Sequence, residues 1–437
     1  MNTFEKMWLT VFFVELFIGG GGRLIDFGFL SIRQVLFIGL ILIFLIRIMK
    51  EKAYLNMEVN TFFRMDPISI GVYLLIASFL FSAVNGFING NPPSIIVMDF
   101  FRVSLIVAYF PLAFYVSEKR FSKDRIIQLL KKSAFLVAIF TIMIALLGKT
   151  VFSANFDEYK DFWKSIMNDD LLFRLSHSVF YKSHFFVLIG LVLSLNDVLS
   201  KRFTKLDVFN IVLGSLSIFW SDTRGLSIAL MASIFLIVVI DLLVFIQPII
   251  GWKNKFIAAV RNGELIKKTI VLIVITISVP ILYHYTTLER FAQTENSIDS
   301  GEVQDTSVGA RVEFLLDAKR ILLDGPAPFL IGEGYGTSIA GRIDGIEMSF
   351  LDIWIEQGAI GLMVWLFLCF IVFYNYYHAY RTGEKLSTLD RSLLGAFFGM
   401  LLLTNINPFI NNPIGMLFFI LMLIFSNHIR SGHGKTN

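Results

Sequence analysis

The chain is a succession of long apolar runs. A helix crosses a bilayer with about 20 apolar residues, and about twelve stretches approach that length: 7–22, 29–46, 67–85, 95–117, 131–148, 179–196, 208–221, 224–245, 269–285, 350–376, 391–406 and 413–428. Charge is too scarce for any other reading. Only 16% of the 437 residues are Asp, Glu, Lys or Arg, against 56% hydrophobic and 46 phenylalanines. A water-soluble surface takes about a quarter charged residues. The expected fold class is an all-α polytopic membrane protein of about twelve transmembrane helices with a large extracytoplasmic loop. The first run does not read as a signal peptide: its lead-in, MNTFEK, has one Lys against one Glu, and no small-residue cleavage site follows.

Basic residues alternate between loops. Arg47, Lys50, Lys52 and Arg64 fall on one side, followed by Lys119, Arg120, Lys123, Arg125, Lys131 and Lys132. Lys201, Arg202 and Lys205, then Lys253, Lys255, Arg261, Lys267 and Lys268, and finally Arg381, Lys385 and Arg391 continue the set. The intervening short loops 86–94 and 405–412 have no Lys or Arg. By the positive-inside rule the first set and both termini are cytoplasmic. Three segments follow: helices one to nine over 1–285 with an outer loop near 149–178, a large outer loop over 286–349, and the last three helices with a cytoplasmic tail over 350–437. The single cysteine, Cys369, lies in an apolar run, which excludes disulfide frameworks, Cys-rich zinc sites and iron–sulfur clusters. His177, His184 and His284 have no metal-ligand spacing. Net charge +4 offers no nucleic-acid footprint.

The long loops are where function concentrates on a membrane scaffold. Residues 288–309 are polar and read as a flap or a disordered tract. Residues 309–323 read as an amphipathic helix, with Val312, Leu315, Leu316, Lys319, Leu322 and Leu323 at helical spacing and Arg311 near the stripe's edge. Such a helix suits a bilayer surface. Gly332, Gly334 and Gly336 then allow either close approach of backbone to a ligand or a tight packed turn. A helix begins near Ser349 and carries Ser349, Asp352 and Glu356 on one face. Asp352 there is either a dipole-stabilised structural acid or a functional one.

Ionisable residues inside spans are costly and so are functional candidates. Glu15 is one. Asp99 and Arg102, three apart, either neutralise each other or leave Arg102 to reach a lipid phosphate. Asp222, Thr223 and Arg224 (WSDTRG) interrupt the apolar stretch at an outer turn, where Arg224 is either an interfacial anchor or an anion hook; a guanidinium binds phosphate bidentately where an ammonium cannot. The amides of TNINPFINNP suit sugar hydroxyls or plain turn chemistry.

These pieces resemble one family, the bacterial O-antigen polymerases and O-antigen ligases. SDTRG at Ser221–Gly225 is similar to the family's Ser/Thr-x-Ser-Arg-Gly stretch opening a span. The outer loop has the family's order of features: Arg311 opening an amphipathic helix, a Gly-rich IGEGYG, then a helix with Glu356, Gly358 and Gly361. The match covers roughly 170–365. Ligases carry His-Asn nine residues before the Glu of the E-x-G segment, whereas this chain has Glu347 and Met348 there. The resemblance therefore favours a polymerase over a ligase.

The resemblance implies a C-type-like membrane glycosyltransferase of the bacterial inner membrane, acting on its periplasmic or outer face. Its substrate would be an undecaprenyl-pyrophosphate-linked oligosaccharide transferred to a hydroxyl of a second lipid-linked unit. Arg224 and Arg311 would hold the departing diphosphate, and Glu347 would orient or deprotonate the acceptor. Arg102, Arg174, Arg320, Asp352, Gly334 and Gly336 would line the substrate. No metal or cofactor is expected, since no DxD-like outer motif is present. Membrane lipid and a chain-length regulator protein are the other partners it implies. A lipid-linked oligosaccharide flippase, also of about twelve spans, is the reading of a different class; it would spread charge through a central cavity instead of gathering it at one face.

Overall fold

A computed structural model describes residues 1–22, 30–168, 170–174, 177–245, 263–295, 306–342, 345–384 and 386–432. Among these, sixteen helices and one small hairpin are found. The first six helices are α1 (Thr3–Ile18), α2 (Ile32–Lys50), α3 (Pro67–Ile88), α4 (Pro93–Val103), α5 (Tyr109–Tyr115) and α6 (Lys123–Lys149). Next come α7 (Phe156–Met167), strands β1 (Leu171–Phe173) and β2 (Val179–Tyr181), and helices α8 (His184–Leu199), α9 (Lys205–Trp220) and α10 (Arg224–Phe245). The last six are α11 (Gly263–Glu295), α12 (Thr306–Leu322), α13 (Pro326–Ile331), α14 (Ser349–Arg381), α15 (Thr388–Leu403) and α16 (Pro413–Gly432). Each apolar run of the sequence coincides with a helix, except that 179–196 opens on β2 before α8 and 95–117 is divided between α4 and α5 by the 3-10 turn Ser104–Ala108. Among the described residues, seven helical segments are long and apolar enough to cross a membrane. The protein is an all-α, multi-pass membrane protein.

Helix starts are written in the sequence. Asn2 and Glu5 form a reciprocal cap on α1, Ser31 and Gln34 on α2, and Ser387 and Asp390 on α15. Each pair satisfies backbone N–H groups that a helix leaves open at its first turn. Asp66 accepts from the Ile68 and Ser69 N–H groups to start α3. Burial then sorts the helices. The apolar window of α16 is 72% buried and that of α2 only 28%. α16 is apolar all round, with every residue from Met416 to Phe425 buried, as a central helix must be. α2 faces outward along one side.

Ionised groups collect at the two ends of the bundle, because charge is costly in hydrocarbon. At the end where α1 starts, Arg47 pairs with Glu5 at 2.7 Å, Lys123 with Asp390 at 2.7 Å, and Lys131 with Asp197 and Asp207, each at 2.6 Å. There too Lys268 meets Asp241 at 2.6 Å, and Arg391 pairs with the same Asp241. At the opposite end Arg33 holds Glu15 at 3.0 Å, which accounts for the acid inside the first span.

The outer segments differ from expectation in their amount of structure. The loop near 149–178 contains α7 and the hairpin, paired Leu171 to Tyr181 and Phe173 to Val179. α11 runs ten residues past the expected end of its span at 285, so part of the presumed flap is helix; 296–305 lie outside the described residues. The amphipathic helix spans Thr306–Leu322, and its stripes differ from those expected. Phe314, Ala318 and Leu322 face inward onto Ile339, Ile346 and Ile355, whereas Val312, Leu315, Leu316 and Leu323 are exposed. Leu322 thus leaves the outward stripe, because the core lies one helical position from the most apolar edge.

Candidate functional site

The site is built around a break in α14. Gly358 has φ +67° and ψ −177°, so the segment from Ser349 to Gln357 is a separate turn of helix ahead of the long span. A left-handed φ is strained for any residue with a Cβ, and the missing side chain also makes room for the Leu330 carbonyl and Ile331 nitrogen of α13. Breaking a helix orphans carbonyls. The glycine-rich segment supplies the donors: Glu333 N–H donates to Ile355 O at 2.8 Å and Gly334 N–H to Glu356 O at 3.1 Å. Ser82 of α3 also donates to Glu356 O at 2.6 Å, and Asn85 to Gly332 O at 2.8 Å. A Cβ on Gly334 would overlap the backbone of Gly86, and one on Gly86 would overlap Tyr335 O. Of the two readings open for these glycines, the geometry fits the packed turn. Gly334 spends its close approach on α3, while Gly336 donates its N–H to Asp99 at 2.9 Å.

The helical turn so positioned presents Asp352 and Glu356 to Arg102 of α4. The guanidinium lies 3.3 Å from Asp352 Oδ2, 2.8 Å from Glu356 Oε1 and 3.4 Å from Asp99 Oδ1. Gly345 backs onto the same group, where a side chain would strike Arg102 and Asp352. Three carboxylates for one guanidinium leave no attraction for a phosphate. These partners commit the Arg102 guanidinium to carboxylates, and Asp352, expected to line the substrate, is fully buried among them. Among the described residues, Arg102 Nε and Glu356 Oε2 are buried and find no hydrogen-bond partner. Tyr335 is buried beside the cluster, and burial together with Glu356 holds its phenol well above the ordinary range, so it stays neutral.

One turn, Thr404–Asn412, joins this cluster to the remaining candidates. Asn411 donates to Asp352 Oδ2 at 2.8 Å and accepts from Ser349 Oγ at 2.9 Å. Thr404 Oγ1 donates to Ser349 Oγ at 3.0 Å and accepts from the Ile410 N–H at 2.8 Å. Arg311 of α12 reaches the same turn, donating to Ile406 O at 3.2 Å while pairing with Glu347 at 3.1 Å. Arg224 is the first residue of α10, and its neighbour Gly225 packs so closely that a Cβ would lie 2.9 Å from the Ile406 side chain. Phe185 of α8 stacks on Phe409 with ring centroids 4.7 Å apart. The N-termini of α8, α10, α14 and α16 therefore surround one turn. Each brings the positive end of a helix dipole, which favours a bound anion.

Glu347 is flanked by Arg311 and by Arg342, whose Nη1 is 3.8 Å away. Arg342 also lies over the Phe314 ring at 5.0 Å, so it fastens this corner to α12. From the sequence Arg342 and Tyr335 have no assigned role; Ser349 and the amides of TNINPFINNP stand out separately, but nothing local joins them into the Thr404–Ser349–Asn411 relay. The structure does not bring Arg320 into the group. It is exposed on the far side of α12, paired with Asp317 at 2.6 Å. Arg174 lines a different hollow of about 580 Å³ formed by α7 and the hairpin, together with Phe156 and His177, whose rings stack at 3.8 Å. Among the described residues, no group of His, Cys, Asp and Glu is arranged to hold a metal ion.

The fold is that of a multi-pass helical membrane protein, and at one end of the bundle Arg311 and the start of α10 reach the same turn. No protein-family model matches the chain. Among curated proteins it is similar to the O-antigen polymerase of Shigella flexneri, at 24% identity over 99% of this chain and 100% of that protein. This whole-length match bears out the resemblance to the bacterial O-antigen polymerase family that the motifs carry.

Proposed function

We propose that the protein is a polysaccharide polymerase that joins lipid-linked glycan units at the outer face of the bacterial inner membrane. On this reading the chain makes twelve passes, with the Glu5 end cytoplasmic and the Arg311 end periplasmic. A hydroxyl oxygen of one lipid-linked unit attacks the anomeric carbon of another. The bond from that carbon to the lipid diphosphate breaks, the diphosphate leaves with the electron pair, and the hydroxyl proton passes to a base or to water. Charge grows on the leaving group, so fixed cations aimed at it lower the barrier. Arg224 and Arg311 fill that role, aided by the surrounding helix N-termini. Glu347 sits where it can accept a hydrogen bond from the incoming hydroxyl, and Arg311 and Arg342 keep it in place. Nothing in this scheme needs a metal.

The observation that carries this reading is the convergence of Arg311 and the start of α10 on Ile406. Strains expressing Arg224→Ala or Arg311→Ala at normal protein levels are expected to lose long glycan chains and carry single repeat units. Losing one such cation costs roughly 10²–10³ in rate. Unchanged ladders in both strains would overturn the mechanism. Units trapped on the cytoplasmic face would indicate a flippase, and long chains stranded on the lipid carrier a ligase.

A further inference from the structure

α12 has two apolar faces. One packs on the protein through Phe314, Ala318 and Leu322. The other, Val312, Leu315, Leu316 and Leu323, is 49%, 49%, 64% and 67% exposed. Lys319 lies within it and Arg320, paired with Asp317, lies at its edge, both exposed. An aliphatic stripe bearing cations is what a helix shows to the boundary of a bilayer.

The height of this face follows from α14. Beyond Gly358 that helix exposes Ile360, Met363, Leu366, Phe367, Phe370, Tyr374 and Tyr377 along one side, which is a lipid-facing stripe. From residue 359 to 377 it rises about 28 Å at 1.5 Å per residue, close to the ~30 Å hydrocarbon thickness. The two tyrosines at its far end fit an interfacial belt. Gly358 therefore marks the outer limit of the hydrocarbon. The Leu330 carbonyl of α13 fills the space beside Gly358, so α13 lies at that limit, with Phe329 and Leu330 exposed there. Trp354 donates to Phe329 O at 3.2 Å and pins α13 to the first turns of α14. Only residues 323–325 separate α12 from α13, and α12 packs on both α13 and α14. α12, with its own exposed aliphatic face, therefore stands beside the outer limit of the lipid-facing side of α14.

We infer that the outward face of α12, with Phe329 and Leu330 of α13, is seated in the headgroup layer of the outer leaflet. The occupant is phospholipid: the aliphatic face stands beside the limit of the lipid-facing side of α14 and carries exposed Lys319 among its leucines, an ammonium suited to a lipid phosphate. The seating itself does not depend on the polymerase reading. Its consequence, that Arg311 on the same helix stands level with the phosphates of a lipid-linked substrate, deepens that reading and rests on it. A lipid diphosphate then reaches Arg311 by sliding in the plane of the membrane, with its tail still in hydrocarbon.

The test uses the full chain in vesicles of phosphatidylethanolamine and phosphatidylglycerol. Buried Cys369 is replaced by Ala, and single cysteines at Leu316 or Leu323 carry an environment-sensitive fluorophore. A cysteine at Asp157, whose side chain is 94% exposed on α7, is the aqueous control. At 316 and 323 we expect blue-shifted emission, quenching by lipids spin-labelled near the ester carbonyls, and several-fold less quenching by iodide than at 157. Iodide quenching equal to the control at both positions would overturn the seating. Leu315→Cys, on the same face, supplies the measurement if either variant fails to assemble. If the labels are lipid-protected while Arg311→Ala strains keep long chains, the seating stands and the polymerase mechanism fails.

Discussion

Arg102 shows how a residue's role is decided by its partners and not by its position. From the sequence it is a cation near the outer surface, and only its pairing with Asp99, three residues away on the same helix, is legible. Its stronger partners, Asp352 and Glu356, lie some 250 positions further along the chain. No local pattern joins them; the Gly358 break and the packing of α14 on α3 do. Arg102→Ala would strand three buried carboxylates, and removing one partner of a buried ion pair costs about 3–5 kcal/mol. We expect that variant to lose most of its folded protein, read as membrane protein level and as melting temperature in detergent. Arg102→Lys keeps the charge but not the fork, and should fall between that variant and the parent. A fully stable Arg102→Ala with wild-type melting would show that the cluster does not hold the site together. Arg311→Ala, by contrast, removes a partly exposed group, so protein level should hold while glycan length falls.

Among elements, hydropathy located the helices but not what interrupts them. Apolar runs announce spans because each must satisfy its own backbone hydrogen bonds in lipid. A glycine inside a span announces nothing, since spans tolerate glycine well. The break at Gly358 becomes necessary only with Gly332 and Gly334 packed against it, and those lie in another part of the chain. Gly358→Ala should therefore hurt twice. At φ +67° and ψ −177°, a region essentially confined to glycine, a Cβ costs roughly 1–3 kcal/mol, and it would overlap the α13 backbone. Its melting temperature should drop clearly, whereas Gly383→Ala, whose glycine also has positive φ but has open space around it, should show the strain alone. The Thr404–Asn412 turn yields a sharper measurement. Asp352→Asn and Asn411→Ala touch the same 2.8 Å hydrogen bond, so their effects on stability should fail to add by about 0.5–3 kcal/mol. Additive effects would mean that the turn and the acid cluster are energetically separate, and that Arg311 is not coupled to α14 through them.

For the whole molecule the governing fact is that charge is sorted to two ends. The alternation of basic loops is what assigns one end to the cytoplasm in the proposed orientation. The outer end was harder to read, because its arginines are few and are recognisable only once the helix N-termini of α8, α10, α14 and α16 are seen to face a common turn. The two ends differ in kind. At the Glu5 end, buried Lys131 and Lys268 and half-buried Arg391 pair with acids from neighbouring helices, which ties the bundle together and leaves little to bind a ligand. At the other end Arg311 and Glu347 remain partly open. A polymerase of outer-face glycans needs that polarity to coincide with membrane orientation, and this can be measured apart from any activity. In a Cys369→Ala background, a cysteine at Asp157 on α7 should react with a membrane-impermeant maleimide in cells whose outer barrier alone is opened. One at Glu118, in the turn after α5, should react only after the inner membrane is breached. The reverse pattern would put Arg224, Arg311 and the turn they share in the cytoplasm. Nucleotide-linked sugars would then be the available donors, and a lipid diphosphate could not be the group that these arginines hold.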